Sequence, residues 1–263
     1  MDNPRIYGKA PYAIAVIHGG PGAAGDLAPL AGELSKHFGI LEPLQTQDSI
    51  EGQVSELYDI LTHNGTPPFT LVGHSWGAFL SYIFAGRYPQ LIKKIILIGS
   101  PPFEDKYVPD YKLASLKRLT ESEKEELKIL ESKLSSNAAN KRTYFARFGE
   151  LMSRSDSYDP IPHDNIKVKL NVDINIKVWA EAKALRKSSE LLSMCTNIRC
   201  PVIAIHGDFD PHPFEGVKEP LSNIIEDFRF ILLEKCGHYP WFEKFTRDQF
   251  YRILVKVLKS DKS

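Results

Sequence analysis

Cysteine is scarce in this chain, with three among 263 residues: Cys195, Cys200 and Cys236. So small and odd a number excludes a disulfide framework, and a reducing cytoplasm is the expected compartment. Long apolar runs are missing too. No stretch reaches the roughly 18 to 20 residues of a membrane span, and the start, Met1-Asp2-Asn3-Pro4-Arg5, has neither the basic segment nor the apolar core of a secretory leader. Charge is balanced, with 33 Lys+Arg against 33 Asp+Glu. Nucleic acid, a polyanionic substrate and a membrane surface are therefore not the expected partners. There is no internal repeat and no low-complexity tract.

What is present is ordinary globular composition, 43% hydrophobic and 25% charged, in a chain long enough for one large α/β domain or a domain carrying an insertion. Short apolar runs that read as buried strands alternate with amphipathic helices. Strands are expected at 12–17, 39–45, 69–72, 92–99, 201–205 and 228–233. Helices are expected at 24–37, 52–63, 78–88, 180–194 and 213–221, with a last one carrying Phe242, Phe245, Phe250, Ile253, Leu254 and Val257. This rhythm implies a mostly parallel, doubly wound sheet. Between about residues 103 and 186 the rhythm breaks. A helix is announced there by the capping-box pattern Thr120-Glu121-Ser122-Glu123, a second spans 140–152, and 155–165 reads as a loop. The alternation of Val168, Leu170, Val172, Ile174, Ile176 and Val178 has the period of a strand.

The stretch Leu71-Val72-Gly73-His74-Ser75-Trp76-Gly77 joins a buried strand to a helix through a Gly-x-Ser-x-Gly turn. Gly73 and Gly77 provide positions without a Cβ where other backbone passes close, and Ser75 stands exposed at a helix N-terminus whose dipole favours developing negative charge. Other strand ends carry His18-Gly19-Gly20-Pro21-Gly22, then His206-Gly207-Asp208-Phe209-Asp210-Pro211, then Cys236-Gly237-His238-Tyr239-Pro240. In an open parallel sheet, ligands bind outside the carboxyl ends of the strands, so these groups converge on one edge.

Serine becomes a nucleophile when a base takes its proton, and histidine does so best with a carboxylate to fix its tautomer. Ser75, then Asp208 or Asp210, then His238 is the chain order expected around such an elbow. The backbone N–H groups of Gly20 and Trp76 are the natural donors to an oxyanion. His18 and His74 read as loop organisers. Cys236 reads as a small buried side chain, and Asp208 as a turn carboxylate. His206 and His212 beside the acids could hold a metal, but a hydrogen-bonded acid loop explains them and no metal is expected. Tyr239 and Trp241 are candidates to line a substrate pocket.

With His18-Gly19-Gly20-Pro21-Gly22, Gly73-His74-Ser75-Trp76-Gly77, Gly207-Asp208-Phe209-Asp210 and Gly237-His238-Tyr239-Pro240-Trp241 in this order, nearly the whole chain resembles the α/β-hydrolase family. That resemblance implies a Ser75–Asp210–His238 triad, since the family's acid sits in a Gly-x-x-Asp turn. It also implies a core of residues 1–102 and 187–263, and an inserted cap or lid at 103–186. No cofactor is implied. Within the family, His-Gly-Gly-Pro-Gly with Ser-Trp-Gly is similar to the proline iminopeptidase branch, whose members release N-terminal residues from short peptides and bind the substrate amine through acids of the cap. Glu104, Asp105, Asp173 and Glu181 are acids of the corresponding segment. The chain departs from that branch in having His74 before Ser75, as in many esterases. It also has little sequence before Tyr12, so the antiparallel strands that begin the fold are expected to be shortened or missing.

The reading is a serine hydrolase cleaving a small ester or amide through an acyl-enzyme. An aminopeptidase on short peptides is the alternative, acyl transfer to another acceptor is a variant of the same chemistry, and a catalytically silent ligand-binding member of the fold is the reading from a different class.

Overall fold

The structure, a computed structural model, describes residues 2–136, 140–162 and 168–260; residues 163–165 of the expected loop and the side chain of Cys195 fall outside the described residues. Short, partly β-branched apolar runs, buried on both faces in the inner strands, build one seven-stranded sheet. Its strands are β1 (Arg5–Tyr7), β2 (Ile14–Ile17), β4 (Ile40–Glu42), β5 (Phe69–His74), β6 (Ile92–Ile98), β8 (Val202–Gly207) and β9 (Phe228–Leu233), in the order β1-β4-β2-β5-β6-β8-β9. Only β1 runs antiparallel, against β4; the remaining pairs are parallel. The antiparallel strand β1 is three residues long.

Side-chain period assigns each strand residue to one of two cores. Leu71, Ile95, Leu97, Val202 and Ala204 face one cluster; Val72, Ile96, Ile98, Ile203 and Ile205 face the other. The helices α1 (Ala28–Leu34) and α10 (Arg247–Lys259) cover the second face, through Leu30, Leu34, Phe250 and Leu254. On the first face lie α2 (Ile50–Asn64), α3 (Trp76–Arg87) and α9 (Glu215–Ile224). Phe242 precedes α10 in a short 3-10 turn, and Phe245 is exposed.

Helix α3 is buried from Trp76 to Gly86, so it needs cover on its outer side as well as from the sheet. The cover is α7 (Val172–Lys187), whose Ile174, Val178 and Ala182 join the same core, with the Trp76 and Trp179 rings 5.8 Å apart. This corrects the strand expected at 168–178. The apolar alternation there also contains the four-residue step from Ile174 to Val178 that continues to Ala182, and burial against α3 selects the helix. Asn171 caps it by accepting from the N–H groups of Asp173 and Ile174. Only Lys169–Leu170, as β7, is extended; it pairs antiparallel with β3 (Ala23–Ala24).

The rest of the segment between β6 and β8 is α4 (Val108–Lys117), α5 (Glu121–Ser135), α6 (Lys141–Asp156) and, after α7, α8 (Glu190–Ser193). The capping box at Thr120 and Glu123 forms as expected. Leu119, Leu127, Leu130 and Leu151 give α5 and α6 a small core of their own.

The elbow fixes how β2 and β5 meet α3. A Cβ on Gly73 would lie 2.1 Å from the carbonyl oxygen of Gly77, and one on Gly77 would lie 2.0 Å from that of Ile17. These obstacles are backbone and cannot rotate away. Gly77→Ala is expected to destabilise the fold by at least about 1–3 kcal/mol, measured as a lower urea midpoint; a midpoint equal to that of the parent would contradict this packing.

Candidate active site

Strand β5 ends at His74 and α3 begins at Trp76, which leaves Ser75 in the turn with φ of 52°. A side chain at positive φ costs on the order of 1–3 kcal/mol, and the surroundings hold it there: the Ser75 N–H donates to the Ile98 carbonyl (2.9 Å), and the Ser75 carbonyl accepts from Ala78 N–H (2.9 Å). Trp76 opens the helix, so its N–H is one of the groups without an intrahelical acceptor. The glycine loop abuts the serine, since a Cβ on Gly19 would sit 3.1 Å from Ser75 Cβ. Gly20 takes φ of 44°, and its carbonyl accepts from Ala23 N–H (2.7 Å). The helical segment between β6 and β8 holds the far side of this loop: Asn171 N–H donates to the Gly22 carbonyl (2.7 Å), and Asn175 Nδ2 donates to that of Pro21 (3.0 Å).

The two acids have different partners. Asp208 Oδ1 accepts from Cys236 N–H (3.2 Å) and ties two loops together. Asp210 is buried and accepts from His238 Nδ1 at 2.7 Å. The end of β6 closes on this pair, because a Cβ on Gly99 would meet His238 Nδ1 at 2.9 Å and Asp210 Oδ2 at 3.1 Å. The other oxygen, Asp210 Oδ1, accepts from the backbone N–H (2.9 Å) and Nδ1 (2.8 Å) of His212. His206 Nε2 donates to the His212 carbonyl at 2.9 Å, and Tyr111 of α4 stacks on the His212 ring at 4.4 Å and 10°.

Asp210, His212 and His238 bring three possible ligand atoms within 4.8 Å of one another. Each carboxylate oxygen is already an acceptor for one imidazole, so a hydrogen-bonded acid flanked by two histidines accounts for the trio. Burial alone would raise the Asp210 carboxyl, but His238, His212 and His206 outweigh it and hold the group well below its ordinary value. Burial likewise opposes a charge on His238, while Asp210, with Asp156 and Asp26 beyond it, raises that histidine above its ordinary value.

The flanking histidines organise backbone. Burial and the nearby imidazolium of His238 hold His74 well below its ordinary value, so it is neutral and donates Nε2–H to the His238 carbonyl at 3.0 Å. His18 donates Nδ1–H to the Gly19 carbonyl (2.7 Å) and accepts at Nε2 from Gln45 N–H (3.2 Å). Cys236 is buried, which pushes its thiol up to about 12 and removes it as a nucleophile at neutral pH. Of the two aromatic candidates, Tyr239 lies edge-on to His238 at 5.0 Å, whereas Trp241 is 2% exposed and packed against His74 and Phe250 in the core.

Three of the four acids singled out between residues 103 and 186 have partners of their own. Glu104 pairs with Lys106, Asp105 with Arg186, and Glu181 accepts from Ile50 N–H; Asp173 sits in the first turn of α7. Two other carboxylates were not legible as site residues. Asp156 at the end of α6 is raised to about 7 by burial, and Asp26 after the glycine loop is raised well above its ordinary value for the same reason. Each has one buried oxygen without a hydrogen-bond partner. No motif marks either one; the fold alone brings them toward His238.

Burial lowers His18 from 6.5 to about 4. Its lone pair is also engaged by Gln45, so a proton would break that bond. For a base with a depressed folded pKa, the stabilisation is complete above the unfolded pKa and is lost as pH falls from 6.5 toward 4. The stability difference between the parent and His18→Gln should therefore shrink by up to about 3 kcal/mol between pH 7.5 and 4.5 in denaturant titrations. A difference independent of pH would contradict a neutral, buried His18.

Comparison with known proteins places this geometry in a family. A family profile described as alpha/beta hydrolase fold matches residues 12–245. Over 48 residues, 18% of this chain, the sequence is 35% identical to epoxide hydrolase 4 of Mus musculus, and the match spans only 13% of that protein. Among solved structures, a thermophilic esterase from Thermogutta terrifontis superposes with a TM-score of 0.65 at 17% identity, covering 99% of this chain and 93% of the other. A monoacylglycerol lipase from Paleococcus ferrophilus gives 0.63 at 18% identity, covering 100% of both chains. At such identities the superpositions show the fold, and the profile shows the lineage: the chain belongs to the α/β-hydrolase fold family.

Proposed function

We propose that the protein is a serine hydrolase that cleaves a small ester or amide through an acyl-enzyme. The observation that supports this most is that Ser75, held at positive φ on a glycine-walled elbow after β5, and a buried Asp210–His238 pair, carried after β8 and β9, lie at the same carboxyl edge of the parallel sheet. Ser75 Oγ attacks the carbonyl carbon while its proton passes to His238 Nε2. The N–H groups of Gly20 and Trp76 receive the oxyanion. Collapse breaks the bond to the leaving alcohol or amine, which takes the proton from His238. Water then gives up a proton to His238 and adds to the acyl carbon; collapse of this second tetrahedral intermediate breaks the bond to Ser75 Oγ, which takes the proton back from His238 as the acid leaves. Asp210 orients His238 and stabilises the imidazolium in both halves. No cofactor enters this scheme. Residues 103–186 act as a cap over the site. The esterase and lipase names among the structural neighbours agree with the ester reading.

An aminopeptidase acting on short peptides is favoured by a separate observation. Asp26 and Asp156 each present an unpartnered buried oxygen in the neighbourhood of His238, and a protonated substrate amine would satisfy them. A panel of short-chain aryl esters and aminoacyl arylamides separates the readings. Faster turnover of esters supports the first, and a requirement for a free amine supports the second. A silent binding protein would turn over neither.

Ser75→Ala is expected to lower kcat/KM by at least about 10³-fold on the best substrate. Asp210→Asn should lose about as much, because an amide no longer fixes the imidazole tautomer. Asp208→Asn keeps an oxygen for Cys236 N–H and should change kcat/KM less than about tenfold. Equal losses at 208 and 210 would contradict the assignment of the acid.

His238 is raised above 6.5, and the reaction needs its neutral form. The acid limb of the kcat/KM profile should accordingly have its midpoint above pH 6.5, with activity rising through it. A midpoint below 6.5 would mean that Asp210 does not support His238.

A further inference from the structure

Glu243 is 1% exposed, and among the described residues no cation pairs with its carboxylate. Backbone N–H groups surround it instead. Oε1 accepts from Gly237 (3.0 Å) and Tyr158 (2.8 Å), and Oε2 accepts from Asp159 (2.8 Å). Two of these donors belong to the chain leaving α6, and the third belongs to the residue before His238. Around the carboxylate the same two stretches are joined backbone to backbone. His238 N–H donates to the Asp156 carbonyl (2.8 Å), Ile161 N–H to that of Phe242 (2.7 Å), and Lys244 N–H to that of Asp159 (3.0 Å). Pro160 and Glu243 form an antiparallel bridge. The approach is close enough that a Cβ on Gly237 would lie 2.2 Å from the Asp156 carbonyl oxygen.

A buried carboxylate is retained when it receives charge-assisted hydrogen bonds, and these are roughly twice as strong as neutral ones. Here they are spent on joining two segments distant in sequence, and one of the segments carries His238. The N–H groups of residues 237 and 238 are both anchored, one on Glu243 and the other on the inserted segment. Asp210 fixes the ring at Nδ1; the seam fixes the backbone from which the ring hangs.

We propose that Glu243 is a positioning residue for His238: by gathering the N–H groups of Gly237, Tyr158 and Asp159 on one carboxylate, it locks the histidine loop to the segment leaving α6 and sets the imidazole between Asp210 and Ser75. The proposal rests on the reading of His238 as the base for Ser75. Misplacement of a catalytic group by about 1 Å can cost around a hundredfold in rate, so a seam of this kind has a kinetic signature beyond stability.

The test uses the full-length protein and the variants Glu243→Ala and Glu243→Gln. It follows the pH dependence of the second-order rate at which a fluorophosphonate labels Ser75, the low-field proton resonance of the His238–Asp210 hydrogen bond, and the melting temperature. In Glu243→Ala the labelling rate per folded molecule should fall about 10- to 100-fold, the acid-limb midpoint should move down toward that of a free histidine, and the low-field resonance should broaden or vanish. Added formate, a carboxylate small enough for the space left, should restore part of the rate. Glu243→Gln fills the same volume but turns an NH2 group toward a backbone N–H, so it should show the same changes to a smaller extent; it decides the matter if the alanine variant does not fold. A lower melting temperature with the parent's labelling rate, midpoint and resonance would overturn the proposal and leave Glu243 purely structural. No labelling of the parent protein at any pH would instead count against the serine hydrolase reading, and the proton resonance alone would then decide whether Glu243 positions His238.

Discussion

The Asp210 carboxylate is taken out of water and given to two imidazoles, one on each oxygen. An isolated carboxylate at this depth would take up a proton rather than remain charged. Staying ionised requires the N–H groups of His212 and His238, and each of those rings is in turn held by something else. His212 is pinned by its own backbone N–H on Asp210, by His206 on its carbonyl and by Tyr111 on its face. His238 is pinned by His74 on its carbonyl and by the Asp156 carbonyl on its N–H. Removing the charge at 210 would leave this set of donors without its common acceptor.

The helical segment between β6 and β8 reaches both halves of the proposed machinery. At one end β7, Asn171 and Asn175 hold the glycine loop that carries Gly20. At the other, the chain leaving α6 is bonded to the loop that carries His238. In both places a glycine of the active-site loop lies against a carbonyl of the segment: Gly22 against Asn171 at 2.1 Å and Gly237 against Asp156 at 2.2 Å, measured from an added Cβ. A segment attached at these two points helps to set the positions of the loops that carry Gly20 and His238.

How much of this could be read from the residues depended on the range of the forces involved. The elbow around Ser75 is a local steric problem, and Gly73 and Gly77 declare it in five residues. The parallel sheet follows from strand and helix periods, whereas Asp210 rather than Asp208 as the partner of His238 was implied by the family resemblance. Residues 168–178 misled because their alternation fits a strand and their four-residue step fits a helix; only the flank of α3 turned away from the sheet, buried in the same core as Ile174 and Val178 and met by Trp179, selects between them. Trp241 packs against His74 and against Phe250 of α10, contacts that no local pattern announces. Glu243 and Asp156 carry no motif, since their roles arise from two loops that are distant in sequence and meet across the edge of the sheet.

The central claim is that Ser75 carries the acyl group. Rapid quenching of the protein during turnover of an activated aryl ester, followed by peptide mass spectrometry, tests it most directly. The account predicts one acyl adduct, on the peptide containing Ser75, which accumulates before steady state and is absent from Ser75→Ala. Hydrolysis that proceeds with no adduct, or with the adduct on another residue, would contradict it.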